Sequence, residues 1–207
     1  METLKTGTTT LGMVCRDATI MAADQRSSMG YLVSSDVMEK LIKISDKIVM
    51  TIAGTAGDGQ ALARLMSAEL KLYELQEGEI PIKAAATLLS TILRSSFKSF
   101  RPDMVQILIG GYDVTGPHLY SVDLAGATER ATNYAFTGSG SPIAVGVLED
   151  KYVEDMPVDD GIALICDAIR AAKKRDLATG GKSIDIAVIT KDGVRLLKEE
   201  DVLKPGK

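Results

Sequence analysis

The chain has 207 residues, 45% hydrophobic and 25% charged, which is the balance of a folded globular protein rather than of a disordered or membrane-spanning chain. Lys and Arg number 24 against 28 Asp and Glu, a formal charge of −4, so no basic excess exists to follow a nucleic-acid backbone. At roughly 150 residues per domain, this length fits one large domain better than two.

From the N-terminus, Met1 to Gly7 lack the apolar core of a signal peptide. β-rich runs are expected at Thr8 to Val14 and Ala18 to Ala23, then at Leu41 to Ser45 and Ile48 to Gly54 around Asp46-Lys47. Asp58 is the expected N-cap of a helix whose apolar residues fall at Leu62, Leu65, Met66, Leu70 and Tyr73 and which ends near Gly78. Pro81 opens a second helix with an apolar face through Ile82, Ala86, Leu89, Ile92, Leu93 and Phe97, stopped by Arg101-Pro102. Strands resume at Val105 to Gly111, Leu119 to Val122 and about Thr132 to Thr137. Pro142 to Leu148 reads as a short helix, and Val158 to Arg175 as a longer one. Ile184 to Thr190 and Val194 to Leu197 form a closing hairpin, followed by a charged tail expected to fray.

Pairs of hairpins alternating with pairs of helices predict two stacked antiparallel sheets with a helical layer outside each, because every sheet and helix must bury an apolar face. The expected fold is a four-layer αββα sandwich of the α+β class, in one domain. No run approaches the roughly 18 apolar residues of a membrane helix, so no membrane partner is expected. Cys15 and Cys166 show no disulfide or zinc-ligand spacing, which points to a reducing, cytoplasmic setting and to no metal.

Several motifs fail on inspection. Gly180-Gly181-Lys182-Ser183 resembles the end of a phosphate-binding loop, but Asp176 stands where the first glycine belongs and the segment leaves a helix instead of entering one. Gly138-Ser139-Gly140-Ser141 lacks the third glycine of a dinucleotide fingerprint, since Ile143 stands there; a tight turn before a helix is the plainer reading. The one histidine, His118, sits in Gly116-Pro117-His118-Leu119-Tyr120, a turn entering a strand with no nucleophile motif beside it. It reads as a solvent-facing or satisfied strand histidine, so a hydrolase built on this chain needs another base.

Gly7 stands directly before Thr8-Thr9-Thr10 at the start of the first strand. Alone, that run signals only β propensity. Taken with Ala22-Ala23-Asp24-Gln25-Arg26, Glu39-Lys40, Thr51-Ile52-Ala53-Gly54, Thr137-Gly138-Ser139-Gly140-Ser141-Pro142 and Lys173-Lys174-Arg175-Asp176, it resembles the β subunits of archaeal 20S proteasomes along essentially the whole chain. Asp24 lies 16 and Lys40 lies 32 positions after Thr8, as in active members of that family.

The resemblance implies an N-terminal nucleophile hydrolase: a threonine-type endopeptidase, made as a precursor that cuts its own Gly7-Thr8 bond. Residues 1–7 would be a propeptide and residues 8–207 a single catalytic domain. Elementary chemistry agrees, because a hydroxyl needs a nearby base and histidine is not at hand. A freed α-amine has an unperturbed pKa of about 7.7 to 8, so roughly a tenth or more is neutral near pH 7, whereas a lysine near 10.4 is almost wholly protonated.

On the same resemblance Thr8 is the nucleophile and Lys40 stabilises the developing alkoxide. At about 4 Å and an effective dielectric near 20, that ammonium is worth roughly 4 kcal/mol. Asp24 would hold Lys40 charged and oriented, Ser139 and Asp176 would position the Thr8 amine and its water, and the Gly54 amide would be an oxyanion donor. Thr179 departs from the family pattern, where serine is common three residues after the aspartate. Ser27, Ser28, Met38, Ile52 and Ala56 would line the substrate cleft, with Met38 and Ile52 making an apolar pocket and chymotrypsin-like cleavage after large apolar residues.

The family further implies stacked seven-membered β rings capped by proteasome α subunits, fed with unfolded proteins by a regulatory ATPase, with no cofactor and no nucleic acid. Plainer readings stay open at this point. Thr8 could be only a strand residue, Asp24 and Lys40 a surface ion pair, and Asp176 a solvated helix end. A non-catalytic ring subunit, a bacterial two-component ATP-dependent peptidase and, more distantly, a nucleotide-binding enzyme are the alternatives.

Overall fold

The computed structural model describes residues 7–202. In chain order β1 (Thr10–Val14) and β2 (Thr19–Asp24) are followed by a small hairpin, β3 (Ser27–Met29) and β4 (Leu32–Ser35), and then by β5 (Leu41–Lys43) and β6 (Ile48–Gly54). Two helices come next, α1 (Ala56–Glu77) and α2 (Ile82–Lys98), and then β7 (Val105–Asp113), β8 (Gly116–Val122), β9 (Thr128–Ala131) and β10 (Tyr134–Thr137). The chain continues through α3 (Ser141–Lys151), α4 (Val158–Arg175), β11 (Ile184–Thr190), β12 (Gly193–Lys198) and the short α5 (Glu199–Val202).

The strands form two five-stranded antiparallel sheets, β10-β1-β2-β11-β12 and β5-β6-β7-β8-β9, with β3-β4 standing apart. β2 shows why the layers stack as they do. All six of its residues are buried, so each pleat faces a core. Ile20 and Ala22 pack with Leu11, Met13, Ile165, Ile169 and Ile186 under α3 and α4. Met21 and Ala23 point the other way, joining Val49, Leu108, Leu119 and Ile189 between the sheets. On the far side Met50, Ile107 and Ile109 meet Met66, Leu70, Leu89 and Leu93 of α1 and α2. The expected αββα sandwich is therefore the observed fold, held by three apolar layers in which each fully buried Leu or Ile contributes about 1.5 to 3 kcal/mol.

The local expectations that fail do so for definable reasons. α1 starts at Ala56 with Thr55 as its N-cap, and Asp58 lies within the first turn, accepting the Met104 amide at 3.1 Å where β7 approaches. α2 ends at Lys98, before Arg101-Pro102, because Phe100 takes a left-handed φ of 57°. The strand expected at 132–137 begins at Tyr134, because the chain changes sheets there: β9 pairs with β8, β10 pairs with β1, and the Val14 amide donates to Asn133 O at 2.7 Å. β3 and β4 were not foreseen, since their solvent-facing residues leave no period-two pattern. Residues 199–202 form a helical turn instead of fraying, and the expectation for the last five residues lies outside the described part.

Candidate active site

Thr8 precedes β1 at the end of the sandwich and is buried. The turn before α3 wraps it. Gly138 adopts a φ of +95°, and a side chain there would stand 2.1 Å from Thr8 O, so only glycine lets the turn approach this closely. Gly140 N donates to Thr8 O at 3.3 Å, and the approach brings Ser139 Oγ within 3.3 Å of Thr8 N. Ser139 Oγ directs its proton to Asp176 Oδ2 at 2.6 Å, so it meets the Thr8 amide as an acceptor. Asp176 Oδ2 also accepts from Thr179 Oγ1 at 2.5 Å, which leaves Thr179 to accept from Thr9 Oγ1 at 2.7 Å.

On the other side of Thr8, Asp24 closes β2. Its Oδ1 accepts the Thr9 amide at 2.9 Å and the Lys40 ammonium at 2.7 Å; its Oδ2 accepts the amides of Gly180 at 2.8 Å and Arg26 at 3.1 Å. The ion pair is buried, so it is not the surface pair of the plainer reading. Burial pulls the Lys40 pKa below its ordinary value, against the opposing attraction and hydrogen bond of Asp24. Lys40 O is pinned by the Ile52 amide at 2.9 Å, fixing the start of β5 against β6. Two groups converge on Gly7 O: Thr8 Oγ1 donates to it at 2.6 Å, and Lys40 Nζ lies 3.5 Å away.

A cavity of about 160 Å³ opens beside this oxygen. Thr8, Lys40 and Gly54 line it together with all five residues expected in the cleft: Ser27, Ser28, Met38, Ile52 and Ala56. Arg26, Glu39 and Thr55 line it too. A larger cavity of about 480 Å³ lies along β12, past Gln25, Asp185 and Lys198, and includes neither Thr8 nor Lys40. The smaller one is therefore the candidate site: a hydroxyl, a buried cation and a serine acceptor meet at one peptide unit.

A family profile described as "Proteasome subunit" matches residues 4–189. The chain belongs to the proteasome subunit family. It is 50% identical over 206 residues to a proteasome subunit beta of Methanocaldococcus jannaschii, covering 99% of this chain and 90% of that one. The corresponding protein of Methanocaldococcus vulcanius is 48% identical over 206 residues, covering 99% and 91%, and that of Archaeoglobus profundus 48% over 199 residues, covering 96% and 91%.

Within this proteasome-family chain the sequence had assigned no role to Arg26 and Glu39, although both flank motif residues. Arg26 ties the site's loops together, with Nε 3.2 Å from Asp36 Oδ1 and Nη1 donating to Leu177 O at 3.3 Å. The Gly180-Gly181 segment packs against Gln25 and Arg26. His118 lies far from Thr8 at the β7-β8 turn, buried rather than solvent-facing, with Nε2 satisfied by Thr115 Oγ1 at 2.7 Å and Asp113 Oδ1 at 3.1 Å. Among the described residues no cluster of His, Cys, Asp and Glu could hold a metal, and no helix is long and apolar enough to cross a membrane.

Proposed function

We propose that this chain is the catalytic β subunit of a 20S proteasome core particle, a threonine-type endopeptidase that matures by cutting its own Gly7-Thr8 bond. The carrying observation is the meeting at Gly7 O of the Thr8 hydroxyl, at 2.6 Å, and the Lys40 ammonium, at 3.5 Å. In maturation Thr8 Oγ1 bonds to the Gly7 carbonyl carbon as its proton passes to solvent, and the carbonyl electron pair moves onto oxygen beside Lys40. Collapse breaks the Gly7-Thr8 C–N bond, and the departing Thr8 nitrogen takes up a proton. Water then hydrolyses the Gly7 ester, releasing residues 1–7 with a C-terminal carboxylate and returning the Thr8 hydroxyl. At this separation and an effective dielectric near 20, Lys40 supplies on the order of 4 kcal/mol to the oxyanion.

The freed Thr8 amine is then the base. It accepts the hydroxyl proton through a water as Thr8 Oγ1 attacks a substrate carbonyl, and returns it to the departing amine of the substrate. An ester on Thr8 follows, and water resolves it. Ser139 and Asp176 hold the amine, Asp24 holds Lys40, and the Gly54 amide adds a second donor to the oxyanion. Thr179 braces Asp176. Met38 and Ile52 in the cavity lining support cleavage after large apolar residues, while Arg26 and Glu39 at the same cavity add charge that the sequence reading did not include.

Its partners are proteasome α subunits, further β subunits in stacked heptameric rings, a regulatory ATPase reached through the α rings, and unfolded protein substrates in a cytoplasmic setting. The test is intact mass and N-terminal sequencing after assembly with α subunits. Wild type is expected to lose residues 1–7 and to hydrolyse fluorogenic peptides, and Thr8→Ala to do neither. Peptide hydrolysis by the Thr8→Ala particle would refute the mechanism.

A further inference from the structure

Gly7 is held from three sides. Its amide donates to Ser28 Oγ at 3.3 Å, and its carbonyl faces Thr8 Oγ1 and Lys40. Its α-carbon is pressed against the loop after α4: a Cβ built on Gly7 would stand 1.6 Å from Ala178 Cβ, 2.7 Å from Ala178 Cα and 3.0 Å from Ala178 C. A side chain there has no space.

We infer that Ala178 and Ser28 are positioning residues for self-cleavage. The Ala178 methyl on one side and the Ser28 hydroxyl on the other hold the Gly7 carbonyl against Thr8 Oγ1, and Ala178 restricts the residue ahead of the nucleophile to glycine. This rests on the self-cleavage reading above. The loop carrying Ala178 cannot easily retreat. Its neighbours Asp176 and Thr179 are hydrogen-bonded to each other, Arg26 holds Leu177 O, and the Ala178 amide itself reaches Asp176 Oδ1 at 3.4 Å. Raising the Cβ–Cβ separation even to 3.0 Å, below which real contacts essentially never fall, requires a shift of 3.0 − 1.6 = 1.4 Å. A misplacement of about 1 Å at a reacting centre costs on the order of a hundredfold in rate. Both contacts exist only in the precursor, because the Gly7 amide and α-carbon leave with the propeptide.

The test follows loss of residues 1–7 by intact mass in full-length chains assembled with α subunits. Gly7→Ala is expected to mature about a hundredfold more slowly than wild type. The double variant Gly7→Ala with Ala178→Gly should recover at least about tenfold, though not completely, since the Ala178 α-carbon remains 2.7 Å away. A general loosening of the loop would instead make the double variant slower still. Ser28→Ala should slow maturation several-fold through loss of one hydrogen-bond acceptor. Maturation of Gly7→Ala at the wild-type rate, or no recovery in the double variant, overturns the inference. If Gly7→Ala chains fail to assemble, Ala178→Val in an otherwise unchanged chain decides: slowing by about tenfold or more supports the clamp, and wild-type speed refutes it. A wild type that keeps residues 1–7 refutes self-cleavage itself, whereas a wild type that matures beside insensitive variants refutes only the roles of Ala178 and Ser28.

Discussion

Two buried carboxylates stand at opposite ends of the sandwich and gather partners in the same way. Asp24, near the candidate active-site cavity, accepts three backbone amides and the Lys40 ammonium. Asp113 closes β7, whose first residue, Val105, pairs with cavity-lining Gly54. It accepts the Ile82 and Thr115 amides, the Thr115 hydroxyl and the His118 ring. Each ties a strand end to neighbouring segments; Asp113 even caps α2, whose own N-cap residue, Pro81, offers no side-chain hydrogen bond. They differ in what remains once the carboxylate is satisfied. Lys40 still lies within 3.5 Å of Gly7 O. His118 Nε2 is engaged by Thr115 and Asp113, and its buried Nδ1 has no hydrogen-bond partner. The difference is a donor left over beside a hydroxyl: Lys40 and Thr8 Oγ1 meet at Gly7 O, and nothing comparable stands beside His118 among the described residues.

Asp24→Asn breaks the comparison most severely. It leaves a buried lysine without its counter-charge, which should cost about 3 to 5 kcal/mol in denaturant unfolding. Peptide turnover should fall at least about a hundredfold, because the cation is no longer held at the oxyanion. The pH profile of the remaining activity gives a finer reading. In wild type, turnover should rise as the Thr8 amine loses its proton, around pH 7.7 to 8 for an unperturbed amine, and fall as Lys40 loses its own. Burial places that alkaline limb below the ordinary lysine value of about 10.4. Asp24 opposes the depression, so the Asn variant should move the limb to still lower pH. An unmoved limb would mean that Lys40 does not set it.

Asp113→Asn should sharpen the contrast by affecting stability alone. An amide nitrogen facing the Ile82 or Thr115 N–H puts donor against donor, at a cost of about 1 to 3 kcal/mol. Peptide turnover should stay within about twofold of wild type. Burial favours the neutral acid, but the Thr115 hydroxyl, the Ile82 and Thr115 amides and nearby His118 together hold the Asp113 carboxyl below its ordinary value. Its contribution is thus complete above the unfolded value of about 3.9 and is lost as pH falls through the lower folded value. The Asn variant should lose less of its stability across that acid range, read as unfolding midpoint against pH. A large loss of turnover would show that this end of the fold is coupled to Thr8.

Elements with one buried face are the most legible in the sequence. α2 and α4 carry clear helical stripes, and Leu89, Leu93, Ile165 and Ile169 are all in the core. β3, β4 and β9 lie at the surface, so alternation carried no information about them. The switch of sheets at Asn133 was hidden because the expected run at 132–137 overlaps only β10, and β9 just before it gave no strand signal. In the site, Thr8, Asp24 and Lys40 were visible from their spacing once the family resemblance was drawn, and the Gly138-Ser139-Gly140 turn from its glycines. Ala178 gave no signal: a methyl group has no motif, and its significance is a distance to Gly7 that only the folded loop creates.

Thr179 is the smallest effect and the most discriminating. In Thr179→Ser the hydroxyl can still donate to Asp176 and accept from Thr9, so turnover should stay within about twofold to threefold. What disappears is a fully buried methyl group, worth about 0.8 kcal/mol of stability, together with the χ1 stiffness of a β-branched side chain. Thr179→Val keeps the shape and removes the oxygen instead. Thr9 Oγ1 then loses its acceptor and Asp176 one of its donors, which should cost about 1 to 3 kcal/mol and let the Asp176-Ser139 pair drift from the Thr8 nitrogen. Greater loss of turnover in Val than in Ser would assign the residue's contribution to its hydroxyl; the reverse order would assign it to the methyl group, and the Thr9-Thr179-Asp176 chain would then be packing that happens to be polar.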